Sequence, residues 1–375
     1  MTDEVAGPVR VEPVRSRADL RAFIDLPLRL HAETRAVPLF QGTIRRWWRG
    51  VGPHTAHGSV ELVLARDASG RVVGRTTVHD DERMDRKLGE PTQLMGATEF
   101  TGADVLHELT AYASARAKEQ GRGAVLGPVS LLPNQTGGVI TSGHEERGFV
   151  DSPWNPASYP AAWEAAGFER VWPASTWIVE GLTGLDADTV FPRGAGERDG
   201  IEVHHGRRRR FGEQLPVLRG MLNASFAELP YYTHITAPEL AAATDGLAWV
   251  LDESLLLWAT DAGEPVAFVL VVPDLSGFVM STGGRMAPLD QVRLLVQRRP
   301  RREAVLIIKG TVPRARGRGL MTLLSHRLLA NLVAGGYETL RVTFVGEENT
   351  ASSAQFTAMG GRPLHGLCFY RRPVL

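Results

Sequence analysis

One cysteine, Cys368, occurs in 375 residues. That excludes an internal disulfide and any metal site built on thiolates, and no other spacing of ligating residues suggests a metal. Lysine is almost as scarce. Lys87, Lys118 and Lys309 are the whole supply, so 39 of the 42 basic residues are arginine. Beside abundant Ala, Gly and Pro, this bias fits a GC-rich coding genome rather than a particular ligand. Net charge is zero, which leaves no overall field to draw the chain toward nucleic acid or anionic lipid. No apolar run approaches about 18 residues, so nothing reads as a membrane-spanning helix. The opening decapeptide MTDEVAGPVR lacks the basic and apolar regions of a secretion signal. The expectation is a soluble cytoplasmic protein without membrane contact; the oligomeric state is left open.

What is present describes an ordinary globular chain, 43% hydrophobic and 22% charged, with a length that suggests two domains. The most informative stretch is IIKGTVPRARGRGLMTLLSHRLLANLVAGG, residues 307–336. An apolar, β-branched run from Ala304 to Ile308 predicts a strand buried on both faces, ending at Pro313, which cannot donate to a sheet ladder. In Arg314-Ala315-Arg316-Gly317-Arg318-Gly319, two glycines at a spacing of two allow a tight turn and close approach of a ligand. Leu320, Leu323, Leu324, Leu328 and Leu332 then mark one face of a helix, capped by Gly335-Gly336. Such a turn presents free N–H groups at the positive end of a helix, beside three arginines. Phosphate is the expected guest. The turn is neither a Walker loop nor a G-x-G-x-x-G dinucleotide fingerprint.

Arg314-x-x-Gly317-x-Gly319 resembles the pyrophosphate signature R/Q-x-x-G-x-G/A of the GNAT acyltransferase superfamily. The order that follows is similar too: a helix, Gly335-Gly336-Tyr337, a strand at Leu340–Val345, Asn349-Thr350-Ala351-Ser352, and a second helix ending at Gly360-Gly361. An ordinary αβ unit with a basic turn is the bland alternative. The first half carries weaker echoes of the second. VLARDASGRVVG matches LLWATDAGEPVA, and AAWEAAGFER matches AQFTAMGGRP, with Asp67 to Asp261 separated by 194 residues and Gly167 to Gly360 by 193. Two landmarks at one offset indicate an internal duplication. The helix of the first copy is preceded by MGATEFTGADVL, without the arginine-glycine turn.

The chain therefore resembles tandem GNAT proteins with a degenerate first copy. The implied fold class is α/β: two GNAT-like domains, each a mixed central sheet flanked by helices. Residues 1–182 form the degenerate domain, 183–200 a Gly-, Asp- and Pro-rich linker, and 201–375 the domain with the acyl-CoA site. By resemblance, the N–H groups of Arg316, Gly317, Arg318, Gly319 and Leu320 take the pyrophosphate, with Arg314 heading the signature. Gly310, Thr311 and Val312 pair edge-on with pantetheine, Asn349 reaches it, and Ser352 and Phe356 complete the cofactor-binding set. Acetyl-CoA is the default donor, and a small-molecule amine the acceptor. The resemblance also exposes a departure. Seven residues after Asn349, where GNAT enzymes commonly carry a tyrosine acid, stands Phe356, which has no proton to give. Tyr370, Tyr232 or water is left as donor, and His234, beside Tyr231 and Tyr232, is the candidate near the acceptor pocket.

Three functions follow in order. The first is N-acyl transfer from acyl-CoA to a small amine. The second is a non-catalytic acyl-CoA sensor or scaffold, motivated by Phe356. The third is tRNA-dependent aminoacyl transfer, supported only by the run Arg207-Arg208-Arg209-Arg210, more simply a solvated face.

Overall fold

A computed structural model describes residues 8–31, 35–132, 137–192, 194, 196–197, 199–296 and 302–374. The first half runs β1 (Arg10–Pro13), α1 (Arg17–Leu30), α2 (Gln41–Trp48), β2 (Val60–Arg66), β3 (Val72–His79), α3 (Glu82–Leu88) and β4 (Thr92–Phe100). It continues with α4 (Ala103–Glu119), β5 (Ala124–Gly127), the short β6 (Val139–Ile140), α5 (Tyr159–Ala165), β7 (Glu169–Glu180) and α6 (Ala187–Val190). The second half repeats the pattern. β8 (Ile201–His205), α7 (Phe211–Phe226), α8 (Ala237–Ala243) and α9 (Leu247–Val250) lead to β9 (Leu256–Asp261) and β10 (Glu264–Pro273). Then come α10 (Ser276–Thr282), α11 (Pro288–Val296), β11 (Glu303–Thr311), α12 (Leu320–Ala334), β12 (Thr339–Gly346), α13 (Thr350–Ala358) and β13 (Arg362–Pro373).

Local sequence accounts for several boundaries. Ser16 and Asp19 form a reciprocal capping box that starts α1. Trp47 and Trp48 pack against the first-half core, and Trp48 donates its indole N–H to the Val14 carbonyl at 3.1 Å, so both are structural. Pro313 follows β11 and opens a single 3₁₀ turn before α12.

All thirteen strands form one sheet. Its order is β1-β2-β3-β4-β5-β13-β7-β12-β11-β10-β9-β8, with β6 attached to β13. The halves exchange their last strands at the centre. β5 pairs with β13, β12 pairs with β7, and β7 and β13 run antiparallel from Arg362↔Ile178 to Arg371↔Glu169. Neither half closes its sheet with its own final strand. Ionic contacts add to the join: Arg147 reaches Asp274 at 2.8 Å and Glu303 at 2.6 Å, and Arg83 meets the fully buried Glu239 at 2.8 Å.

In each half, one parallel pair opens into a fork. β11 and β12 pair only from Glu303↔Thr339 to Leu306↔Val342, and Thr343 Oγ1 donating to the Ile307 carbonyl at 2.8 Å is the last tie. β4 and β5 pair from Thr92↔Ala124 to Leu94↔Leu126. The first-half fork is filled by its own chain. The Val129 N–H donates to the Met95 carbonyl at 2.7 Å, and a Cβ on Gly96 would stand 2.2 Å from the Val129 carbonyl oxygen. Buried His79 reaches the Ser130 carbonyl from the same place at 3.3 Å.

Candidate functional site

The second-half fork leads into the basic turn. Beyond Leu306, β11 keeps β10 on one side, through Ile308↔Leu270, Lys309↔Val269, Gly310↔Phe268 and Thr311↔Ala267, and among the described residues has no strand partner on the other. A free edge of this kind offers backbone groups to an extended ligand. Gly310 is needed for close packing, because a Cβ there would meet Ser225 at 2.9 Å and the Phe268 ring at 3.0 Å. The buried Val312 donates its N–H to the Val266 carbonyl, fixing the strand end.

In the turn, Gly317 and Gly319 adopt φ of 73° and 76°, a region that side chains with a Cβ disfavour. Gly317 faces open space. Among the described residues, no protein acceptor takes the N–H groups of Gly317, Arg318 or Gly319. Together with the first N–H groups of α12, they make a set of donors without protein partners at the positive end of a helix, an arrangement that suits an anion. The arginine side chains are committed elsewhere. Arg314 donates to the Pro265 carbonyl, Arg316 to the Ser225 carbonyl at 2.9 Å and to Glu228 at 3.1 Å, and Arg318 pairs with Asp261 at 2.7 Å. The backbone is therefore the cradle proper, and the guanidinium groups brace it. Gly196 lies close against it: a Cβ there would stand 2.6 Å from the Gly319 carbonyl oxygen.

Across the fork, Asn349 caps α13 and accepts the Ser352 N–H at 3.2 Å. Phe356 is buried, its ring 6.0 Å from that of Trp177 on the exchanged strand β7. Lys309, to which no sequence motif points, extends from β11 to this helix. Its Nζ stands 4.2 Å from the centre of the Phe356 ring and donates to Gln355 Oε1, which also accepts from Ser325 Oγ on α12 at 3.3 Å. The residue keeps partial solvent exposure, while its ammonium lies between the Phe356 ring and the Gln355 amide. Burial pushes its pKa down to about 7. The one available signal was a lone lysine, in a chain with three, interrupting an apolar strand just before Gly310.

The catalytic candidates are not assembled around Phe356. Tyr370 lies in the first-half core, stacked on Trp163 with its hydroxyl toward Glu164 at 3.3 Å. Strand exchange carries it there, because its backbone pairs with Gly127 of β5. Tyr232 is buried and donates to Asn223 Oδ1 at 2.8 Å, a hydrogen bond that holds the loop after α7. His234 is exposed, and its carbonyl accepts from Arg83. Tyr231 does reach the fork region. Its ring meets Phe344 of β12 at 5.0 Å and Trp172 of β7 at 5.7 Å, Phe369 of β13 lies 6.1 Å from Phe344, and the Tyr231 hydroxyl contacts Glu348 at 3.2 Å. This half-buried aromatic wall draws on both halves of the chain. Arg208 and Arg210 are bound to the Leu251 carbonyl and Glu213, at the far edge of the sheet. Among the described residues no helix is long and apolar enough to cross a membrane, and no group of acidic, His or Cys side chains is arranged to hold a metal.

No family model matches the chain. It is 23% identical over 386 residues to Protein YghO of Escherichia coli K12, covering 100% of this chain and 98% of that protein. It is also 23% identical over 301 residues to a bacterial ceramide synthase of Caulobacter vibrioides, covering 78% and 77%. Among solved structures, a tandem GNAT protein from the clavulanic acid biosynthesis pathway superposes with a TM-score of 0.60 at 16% identity, over 98% of this chain and 99% of that one. The chain has the tandem GNAT fold.

Proposed function

We propose that the protein is an N-acyltransferase that takes its acyl group from acyl-CoA held by the second half and passes it to an amine. The observation that carries this reading is the free cradle of Gly317, Arg318 and Gly319 N–H groups at the open end of the β11/β12 fork. Residues 310–312 offer an edge for an extended arm, and the cradle offers donors for a pyrophosphate. The filled fork of the first half leaves the second as the donor site.

Acyl-CoA is a substrate here and supplies a thioester carbon open to attack. The chain's part is to align that carbon with the amine and to exclude water, which lowers the barrier chiefly by fixing the reactants together. The acceptor enters along the wall of Tyr231, Phe344, Trp172 and Phe369. That apolar lining, with a relative named for ceramide synthesis, favours an amine attached to an apolar body over a highly charged one.

Calorimetric titration with CoA, acetyl-CoA and palmitoyl-CoA, followed by thiol release over a panel of amines that includes long-chain amino alcohols, tests the proposal. Saturable binding with amine-dependent thiol release is the expected result. Binding without release from any amine favours the sensor or scaffold reading that Phe356 motivates. Failure to bind CoA overturns both.

A further inference from the structure

We propose that Lys309 is the group that protonates the departing thiolate. The inference rests on the acyl-CoA reading above and deepens it. Lys309 spans the fork beyond the Thr343 tie, starting on the strand that ends in the anion cradle and finishing against α13 on the opposite arm. A donor lying along 310–312 with its phosphates on the cradle passes directly by it.

The surroundings suit an ammonium that must give up its proton. Its neighbours are the Phe356 ring, the neutral Gln355 amide and, beyond that amide, the Ser325 hydroxyl. Val269 lies opposite on β10, and Thr343 and Val345 of β12 are buried. Among the described residues no carboxylate pairs with Lys309, and Arg314, Arg316 and Arg318 are turned to other acceptors. A structural lysine would be expected to bury against a carboxylate, which fixes its charge. This one is held by a ring face and one amide oxygen, enough to place it without trapping its proton. The lowered pKa, caused by burial, agrees with the geometry.

The step balances. The amine lone pair forms the C–N bond to the acyl carbon, the C–S bond breaks with its electron pair going to sulfur, and the Lys309 ammonium protonates the sulfur. The acceptor nitrogen loses its extra proton to water, and the Lys309 amine recovers one from solvent before the next turnover.

Two measurements test this. In protein labelled with carbon-13 lysine there are three side chains to follow, and absence from a Lys309→Arg variant identifies the relevant signal. Its Cε shift should titrate near pH 7 and move on saturation with CoA. Separately, kcat with acetyl-CoA or palmitoyl-CoA should decline as pH rises through about 7. In Lys309→Met and Lys309→Gln it should drop at least tenfold and lose that decline, with CoA affinity changed less than threefold. A Lys309 signal indifferent to both pH near 7 and CoA overturns the proposal. So does an unchanged pH profile in a folded variant, or a wild-type rate that rises through pH 7 as a base would require. A wild-type protein that binds no CoA instead overturns the underlying acyl-CoA reading.

Discussion

Tyr370, on the last strand of the chain, stacks on Trp163 of the first half, ring centroids 5.5 Å apart and 15° from parallel. The contact shows how the halves are built into each other. The strand that closes the second copy in sequence completes the sheet and core of the first, and β7 does the same in return.

Neither half should therefore fold alone. A fragment of residues 1–182 would expose the open edge of β5 and leave β7 without β12 or β13, an aggregation-prone arrangement. We expect it to be insoluble or to lack a cooperative thermal transition, as measured by circular dichroism and size-exclusion chromatography. A monomeric, cooperatively melting fragment would contradict the exchange. Co-expression with residues 183–375 should restore a soluble complex.

Gly317→Asp should weaken CoA binding at least a hundredfold, roughly 3 kcal/mol, because a carboxylate would occupy the cradle intended for phosphate. The position faces open space and Asp tolerates left-handed backbone better than most residues, so the variant should remain folded. Unchanged affinity in calorimetry would place the donor site elsewhere.

The chain should bind one CoA. The Val129–Met95 hydrogen bond and the close fit of Gly96 leave no opening between β4 and β5. A calorimetric stoichiometry of two would mean that the 128–130 segment leaves its fork.

Phe356→Tyr should keep the rate within about tenfold, or 1.4 kcal/mol of barrier. The ring already carries the Lys309 ammonium on its face, so a phenol adds a second donor near one already in place. A gain well above tenfold would identify the phenol as the missing acid and leave Lys309 without that role.

Stability should fall as the solution is acidified from pH 6.5 toward 4. Burial depresses both His79 and His365 to about 4 in the folded chain, against about 6.5 unfolded. In that interval the unfolded state binds more protons, so stability rises with pH and is lost as pH falls through it. Each histidine contributes on the order of 1.4 kcal/mol per pH unit at most. Chemical denaturation across that range should show the slope, and His365→Gln should reduce it. A flat profile would mean that these rings are hydrated.

Much was determined by sequence alone, because it depended on neighbours in the chain. The Ser16–Asp19 capping box, the hairpin around Asp67–Gly70, the termination of β11 at Pro313 and the paired left-handed glycines at 317 and 319 follow from local sterics and hydrogen bonding. The repeated landmarks likewise revealed two copies. The tertiary structure decided what depends on partners far apart in sequence. Strand exchange is invisible to periodicity, since β7 and β13 present the same alternation whichever neighbour they choose, and it placed Tyr370 in the wrong half to serve Phe356. The role of Lys309 was hidden for the same reason. A lysine in an apolar strand becomes a desolvated ammonium, its pKa lowered to about 7, only when α13, forty-six residues later for Gln355, folds across it.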